Sequence, residues 1–255
     1  MAAGNLHTVA FFGATGGCTL TCLVQVLKDG IHCSALARNP AKLQDLLRQR
    51  GLSESVTTNQ LSIVKGSITD LDKVEETLKY NGRPVDMIMS GVGGKPVFTN
   101  PFRVTLDNPT ICQDAIRNIL AASRQLGGKP LLIAISSAGL TDKKRDSPVA
   151  MVPLNHWLLR VPHADKRIME ALIVDEMKKP EADRAIRDYA LVRPSWFTDG
   201  EGVGMKKIKA GTEDHPAVGY TISRNDVGLW IFENLVRRPV QLDNPYIGRP
   251  TTITA

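Results

Sequence analysis

Short apolar runs of β-forming residues alternate with amphipathic stretches at helical spacing, and a glycine-rich turn joins the first run to the first such stretch. No segment rich in Pro, Gly or Ser divides the chain, and no internal repeat interrupts the alternation. These observations predict an α/β fold of the Rossmann type, doubly wound, with a mostly parallel sheet and helices on both faces. A single domain over residues 1–255 is expected.

Residues 7–12 are short and apolar and read as the first strand, running directly into Gly13. Leu20, Leu23, Val24 and Leu27 share one face of a helix over 19–29, with Gly30 as its stop. Residues 31–37 read as the second strand, and Leu43, Leu46 and Leu47 mark a helix over 41–50. The third strand is expected over 55–64, with or without an irregular lead-in, ending at Lys65-Gly66-Ser67. Thr69 or Asp70 caps a helix reaching Tyr80, in which Leu71, Val74 and Leu78 recur at helical spacing. Residues 85–90 form the fourth strand, 110–126 a helix closed by Gly127-Gly128, and 131–136 the fifth strand. The pattern then loosens: 141–162 carries charges, prolines, His156 and Trp157, and reads as a loop with one short helix. A helix near 163–178, a strand over 189–193, a helix over 224–236 and a strand-like 246–253 complete the alternation.

The composition is that of a globular protein, 42% hydrophobic and 23% charged. The net charge of +6 comes from scattered Lys and Arg with no aromatic-interleaved stripe, which argues against a nucleic-acid partner and for a mildly basic surface that attracts anions. Cys18, Cys22, Cys33 and Cys112 form no Cys-x-x-Cys pair and no metal spacing with histidine, so no metal is expected. Buried thiols in a reducing compartment explain them. No apolar run approaches the ~20 residues of a membrane span. The first strand begins within a few residues of Met1, which leaves no room for a signal peptide, and the expected location is cytoplasmic.

The turn Gly13-Ala14-Thr15-Gly16-Gly17 lies where a backbone must bend sharply and approach a phosphate without a Cβ in the way. Glycine turns are common, but this one follows an apolar strand and opens an amphipathic helix, the setting of a dinucleotide pyrophosphate site. Cys18 and Thr19 are the next residues of that site; Thr19 stands where a third glycine would fall, and its hydroxyl could cap the helix. After the second strand, Arg38 occupies the place where an NAD site carries Asp or Glu. A guanidinium there pairs with a 2′-phosphate, which points to NADP(H); a solvated surface arginine is the competing reading. Gly66-Ser67 ends the third strand, where the adenine would lie. Ser90-Gly91-Val92-Gly93-Gly94 ends the fourth, where the backbone would run beside the nicotinamide ribose; ordinary turn glycines are the competing reading of both.

Together these pieces resemble the atypical short-chain dehydrogenase/reductase superfamily, in its NmrA-like and flavin/biliverdin-reductase-like branch. The carrying residues are Phe12-Gly13-Ala14-Thr15-Gly16-Gly17, Ala37-Arg38-Asn39, Gly66-Ser67-Ile68-Thr69-Asp70 and Ile135-Ser136-Ser137-Ala138-Gly139. Tyr189-Ala190-Leu191-Val192-Arg193-Pro194 and Ile222-Ser223-Arg224-Asn225-Asp226-Val227 extend the likeness over nearly the whole chain.

The resemblance implies NADP(H) binding, with Ser137 facing nicotinamide and substrate and Ser136 beside it; a capped turn is the competing reading of either serine. Of the superfamily's Tyr-x-x-x-Lys pair, the lysine falls on Lys166, which would orient the nicotinamide ribose, and the tyrosine's place holds Pro162. None of Tyr80, Tyr189, Tyr220 and Tyr246 substitutes for it. The branch uses a serine and sometimes a histidine instead. His163, three residues before Lys166 on the same helical face, is then either a proton donor or a surface histidine near a helix start. Ser137, His163 and Lys166 form the candidate catalytic set. Arg193, Pro194, Ser195 and Trp196 are expected to border the cofactor. Trp196 and Phe197 offer flat contact for an aromatic or polycyclic substrate, with core packing as the other explanation. The pocket is expected from residues 91–109, 137–163 and 194–222, with His156 and Trp157 as possible lining.

Three functions fit these residues. The first is an NADPH-dependent reductase of a conjugated or aromatic small molecule. The second is an NmrA-like sensor of the NADP redox state that binds a protein partner without turnover. The third is a non-redox isomerase, dehydratase or cyclase using the same pocket, with Ser137, His163 and Lys166 as acid–base groups. The missing tyrosine favours the second; the retained Lys166 and Ser137 favour a catalyst. A monomer and a homodimer are both compatible with the sequence.

Overall fold

The computed structural model describes residues 7–100, 103–141, 143–237 and 244–255. Residues 101, 102 and 142, within the expected pocket segments, lie outside the described residues. Eight strands form the central sheet: β1 (Thr8–Phe12), β2 (His32–Ala37), β3 (Leu61–Lys65), β4 (Met87–Ser90), β5 (Leu131–Ile135), β6 (Asp188–Pro194), β7 (Lys209–Thr212) and β8 (Pro250–Thr254). Their spatial order is β7-β8-β6-β5-β4-β1-β2-β3, parallel throughout except for β7 against β8. The chain runs outward from β1 to β3 and then returns to β4 on the other side of β1. Strand order therefore reverses between β1 and β4, and the crevice beyond their carboxyl ends is where ligands bind in such sheets.

Alternation along β1 explains the two faces. Val9 and Phe11 pack into a core with α1 (Gly17–Lys28) and α8 (Arg224–Ile231), while Ala10 and Phe12 pack into a second core on the opposite side. That second core is covered by α4 (Leu71–Thr77), α5 (Ile111–Leu126) and α7 (Arg160–Met177). Polar caps fix the helix starts. Asn39 accepts from the Lys42 N–H before α2 (Pro40–Gln49), Asp70 from Lys73 before α4, and Ser223 from Asp226 before α8.

Some boundaries differ from expectation. Residues 55–60, read as part of the third strand, belong to a short helix α3 (Glu54–Gln60). Ser53 caps it through the Val56 N–H, and this local start outweighs the β-branched Val56, Thr57 and Thr58. The helix expected to reach Tyr80 ends at Thr77, because Asn81 and Gly82, both at positive φ, turn Lys79–Tyr80 back on Arg83–Pro84. Within 141–162 the short helix is α6 (Val152–Leu158), and α7 starts at Arg160 rather than 163. The helix expected over 224–236 passes at Phe232 into one π-helical turn. The last strand starts at Pro250, not 246. Unanticipated pairings are β7, a parallel pair joining Trp196–Thr198 to Thr221–Ser223, and a hairpin of Pro96–Asn100 with Arg103–Leu106. No helix among the described residues is long and apolar enough to cross a membrane.

Candidate functional site

The glycine turn is built for close backbone approach. Gly13 sits at φ +79°, and a Cβ there would lie 2.7 Å from the Gly91 carbonyl oxygen. The Gly16 N–H donates to Gly13 O at 2.9 Å, which closes the turn. No side chain caps α1, and no acidic residue stands in its first turn. Its first N–H groups and the positive end of its dipole therefore face the crevice uncompensated. Thr19 does not cap the helix. It is buried, and its Oγ1 fills the space over Gly91 where a Cβ would overlap it. Cys18 is also buried, and burial pushes its thiol up to about 12, partly opposed by the Arg224 charge. The turn thus offers backbone and the exposed Thr15, while Cys18 and Thr19 pack inward.

At the end of β2, Arg38 is exposed and has no carboxylate within ion-pair distance among the described residues. The Asp107 carboxyl is held below its ordinary value by the Lys95 N–H first, then by the Asn108 N–H and the charges of Lys95 and Arg38. The 95–107 segment and Arg38 therefore share one electrostatic neighbourhood. Gly66 is explained by packing, since a Cβ there would lie 2.7 Å from Lys73 Cβ. Ser67 Oγ is hydrogen-bonded to Thr69 Oγ1 at 2.8 Å in a local turn. Ser90 is buried and Gly93 exposed.

Lys166 lies where the ends of β4 and β5 meet. Its ammonium donates to Ile135 O at 2.6 Å and Val92 O at 3.2 Å. The neighbouring Asp165, buried, accepts the Cys112 and Gln113 N–H groups at 2.8 and 3.0 Å. It thereby caps α5 from α7 and fixes the height of Lys166. Ser137 Oγ and His163 Nε2 are 3.2 Å apart, and the Ser137 hydroxyl also reaches Ala138 O at 3.0 Å. Burial, then the charges of Arg167 and His156, depress His163 to about 4. At neutral pH its imidazole is uncharged. When the serine hydroxyl points to Ala138, the imidazole donates to Ser137 Oγ; when it turns, Nε2 accepts. Ser136 Oγ is buried with no hydrogen-bond partner among the described residues.

The residues after β6 divide by role. Arg193 is buried and its guanidinium is held by Glu170 at 2.6 and 3.0 Å and by Glu213 at 3.0 Å, so its charge ties β6 to α7. Ser195 Oγ donates to Thr254 Oγ1 at 2.9 Å, and the Trp196 indole N–H to Asn155 Oδ1 at 2.7 Å. Phe197 is exposed beneath the Arg224 guanidinium, 5.0 Å from the ring centroid, toward the glycine turn rather than the histidine. Sequence reasoning assigned Arg224 no role. The structure lays it over Gly17, where a Cβ would lie 2.8 Å from its Cδ, and pairs it with Asp199 at 2.7 Å. Its place in the Ile222–Val227 motif was the one signal available.

A cavity of about 560 Å³ opens beside His163 between the loop after β5 and helices α6 and α7. Gly139, Asp146, Asn155 and His156 are among its walls, all from the 137–163 segment. Among the described residues, none of 91–109 or 194–222 lines it, although Trp196 braces its wall through Asn155.

A side-chain-free approach at Gly13, an open helix start and a lysine at the β4–β5 ends fit a dinucleotide lying across the crevice. Known proteins agree. A family model described as NAD(P)H-binding matches residues 13–238. The chain is 52% identical to a reductase, pytE, of Aspergillus terreus over 97% of each chain. It is 36% identical to an oxidase, pynE, of Aspergillus niger over 90% of this chain and 92% of that one. Among solved structures, a short-chain dehydrogenase/reductase from Veillonella parvula in complex with NADP superposes with a TM-score of 0.69 at 15% identity, over 98% of this chain and 94% of that one. ChuY, an anaerobilin reductase from Escherichia coli, superposes with 0.64 at 18% identity over 96% of each. The chain belongs to the NAD(P)H-binding family and has the fold of the atypical short-chain dehydrogenases/reductases.

Proposed function

We propose that the protein is an NADP(H)-dependent reductase of a conjugated or aromatic small molecule. The observation that carries this reading is the convergence of Lys166, Ser137 and His163 at the ends of β4 and β5, beside a cavity of about 560 Å³. The backbone of Gly13, Gly16 and Gly17, with Thr15, would hold the pyrophosphate, and Arg38 the 2′-phosphate. Lys166 would hold the nicotinamide ribose, and Ser136, whose buried hydroxyl has no partner among the described residues, would stand next to the reacting edge. Bound NADPH supplies the hydride.

Ser137 would donate a hydrogen bond to the substrate oxygen, and His163 orients that hydroxyl. A neutral imidazole is a poor proton store, so the reading favours an acceptor whose reduced anion is stabilised by conjugation and takes its proton from water. Two relatives named for opposite redox directions are in keeping with hydride chemistry on this scaffold. Buried, unpaired cysteines accord with a cytoplasmic location.

Steady-state NADPH oxidation with quinones, flavins and enones tests the activity, and tight NADPH binding without turnover of any of them would overturn it. Arg38→Ala is expected to weaken NADPH binding about 10- to 100-fold, from the loss of a charge-assisted pair worth ~1.5–3 kcal/mol, and to leave NADH unchanged. Equal affinity of the unaltered protein for NADH and NADPH would remove the NADP assignment.

A further inference from the structure

We propose that the cavity beside His163 binds a substrate that carries an oxyanion, and that Arg145 and Arg160 hold it. This deepens the reductase reading, on which it rests for treating the ligand as substrate. Four basic side chains line the cavity: Lys143, Arg145, Arg160 and Arg167. Among the described residues the one carboxylate in its wall is Asp146, which is buried and accepts the Gly139 N–H at 2.8 Å. Lys143 is matched by Glu213 at 3.1 Å, and Arg167 has an interaction of its own. Arg145 and Arg160 are exposed, and neither has an ion-pair partner among the described residues.

A guanidinium facing a neutral ligand in such a cavity loses water and gains little. Facing a carboxylate or a phosphate ester it makes paired, charge-assisted hydrogen bonds. The volume falls in the range of small-molecule sites, so the anion and the reducible group fit in one ligand. His163 marks the end at which reduction would occur, and the guanidinium groups mark the other.

Calorimetric titration of the NADPH-saturated protein at low salt, with trans-cinnamate, methyl trans-cinnamate and phenyl phosphate, tests this. Either anion is expected to bind at least about tenfold more tightly than the neutral ester. Arg145→Glu and Arg160→Glu should each erase that preference, and Arg145→Gln and Arg160→Gln reduce it; an NADPH titration of each variant reports its folding. Comparable binding of ester and both anions, or a preference that survives both charge reversals, would overturn the proposal. The same titrations on the cofactor-free protein separate the two readings. Failure to bind NADPH or to turn over any substrate counts against the reductase, whereas the anion preference is read without either.

Discussion

The two ends of the crevice are built from different materials. At the end nearest Gly13 the working surface is backbone: a turn at positive φ, an uncapped helix start and the Gly91 carbonyl, just past β4, where a Cβ on Gly13 would stand. At the end nearest His163 it is side chains: Ser137, His163, a belt of arginines, and a buried Arg193–Glu170 pair holding the framework. Backbone surfaces tolerate almost any neighbouring side chain but no added Cβ. Side-chain surfaces tolerate reshaping but depend on each charge keeping its partner. The first end suits an invariant ligand part, the second a variable one.

Four measurements break or sharpen this contrast. The largest effect is expected for Glu170→Ala, which leaves the buried Arg193 guanidinium with Glu213 alone and should cost about 3–5 kcal/mol in urea unfolding. A loss below 1 kcal/mol would show that charge pairing does not hold the end nearest His163.

Next comes acid. The unfolded His163 imidazole titrates near 6.5 and the folded one near 4. Between those values the unfolded chain binds more protons, so stability falls as pH drops through that window, by on the order of 3 kcal/mol from this group. His163→Gln should flatten that part of the curve of unfolding free energy against pH, and an unchanged slope would contradict the assignment.

Gly13→Ala forces a Cβ against Gly91 at a strained φ and should cost roughly 1–3 kcal/mol, with NADPH binding weakened in parallel. Wild-type thermal stability and NADPH affinity in this variant would mean the turn is not the rigid part. The smallest change is expected for Asp199→Ala. Its carboxylate is 89% exposed, and its pair with Arg224 should be worth less than about 1 kcal/mol. A larger loss in urea unfolding would make Arg224 part of the framework.

The backbone end was largely legible in the sequence, because glycine spacing after an apolar strand states a conformational need directly. Strands such as β1, β4 and β5, apolar on both faces, were legible for the same reason. The segment before β3 was misread because Val56, Thr57 and Thr58 have strand preference locally, whereas the cap at Ser53 decides the structure. At the other end, Ser137, His163 and Lys166 are singled out only through a resemblance, and the fold brings Ser137 against His163 and Lys166 onto the strand ends. Asp165 and Glu170 were not found, since their partners, Cys112, Gln113 and Arg193, lie 23 to 53 residues away. Arg145, Arg160 and Arg167 look like ordinary surface charges in a loop and a helix, and only the packing of α6 and α7 brings them to one cavity.

Gly13, Gly91, Val92 and Lys166 form a short mechanical linkage. Gly91 donates its N–H to Phe12 O at 2.9 Å at the start of the turn, and the carbonyl of the next residue, Val92, receives the lysine ammonium at 3.2 Å. No flexible side chain intervenes between the turn and that carbonyl. The span from the glycine turn to the lysine is therefore a gauge cut in main chain, with its calibration independent of whatever molecule fills the cavity. Relatives that exchange the lining of that cavity would keep the same gauge.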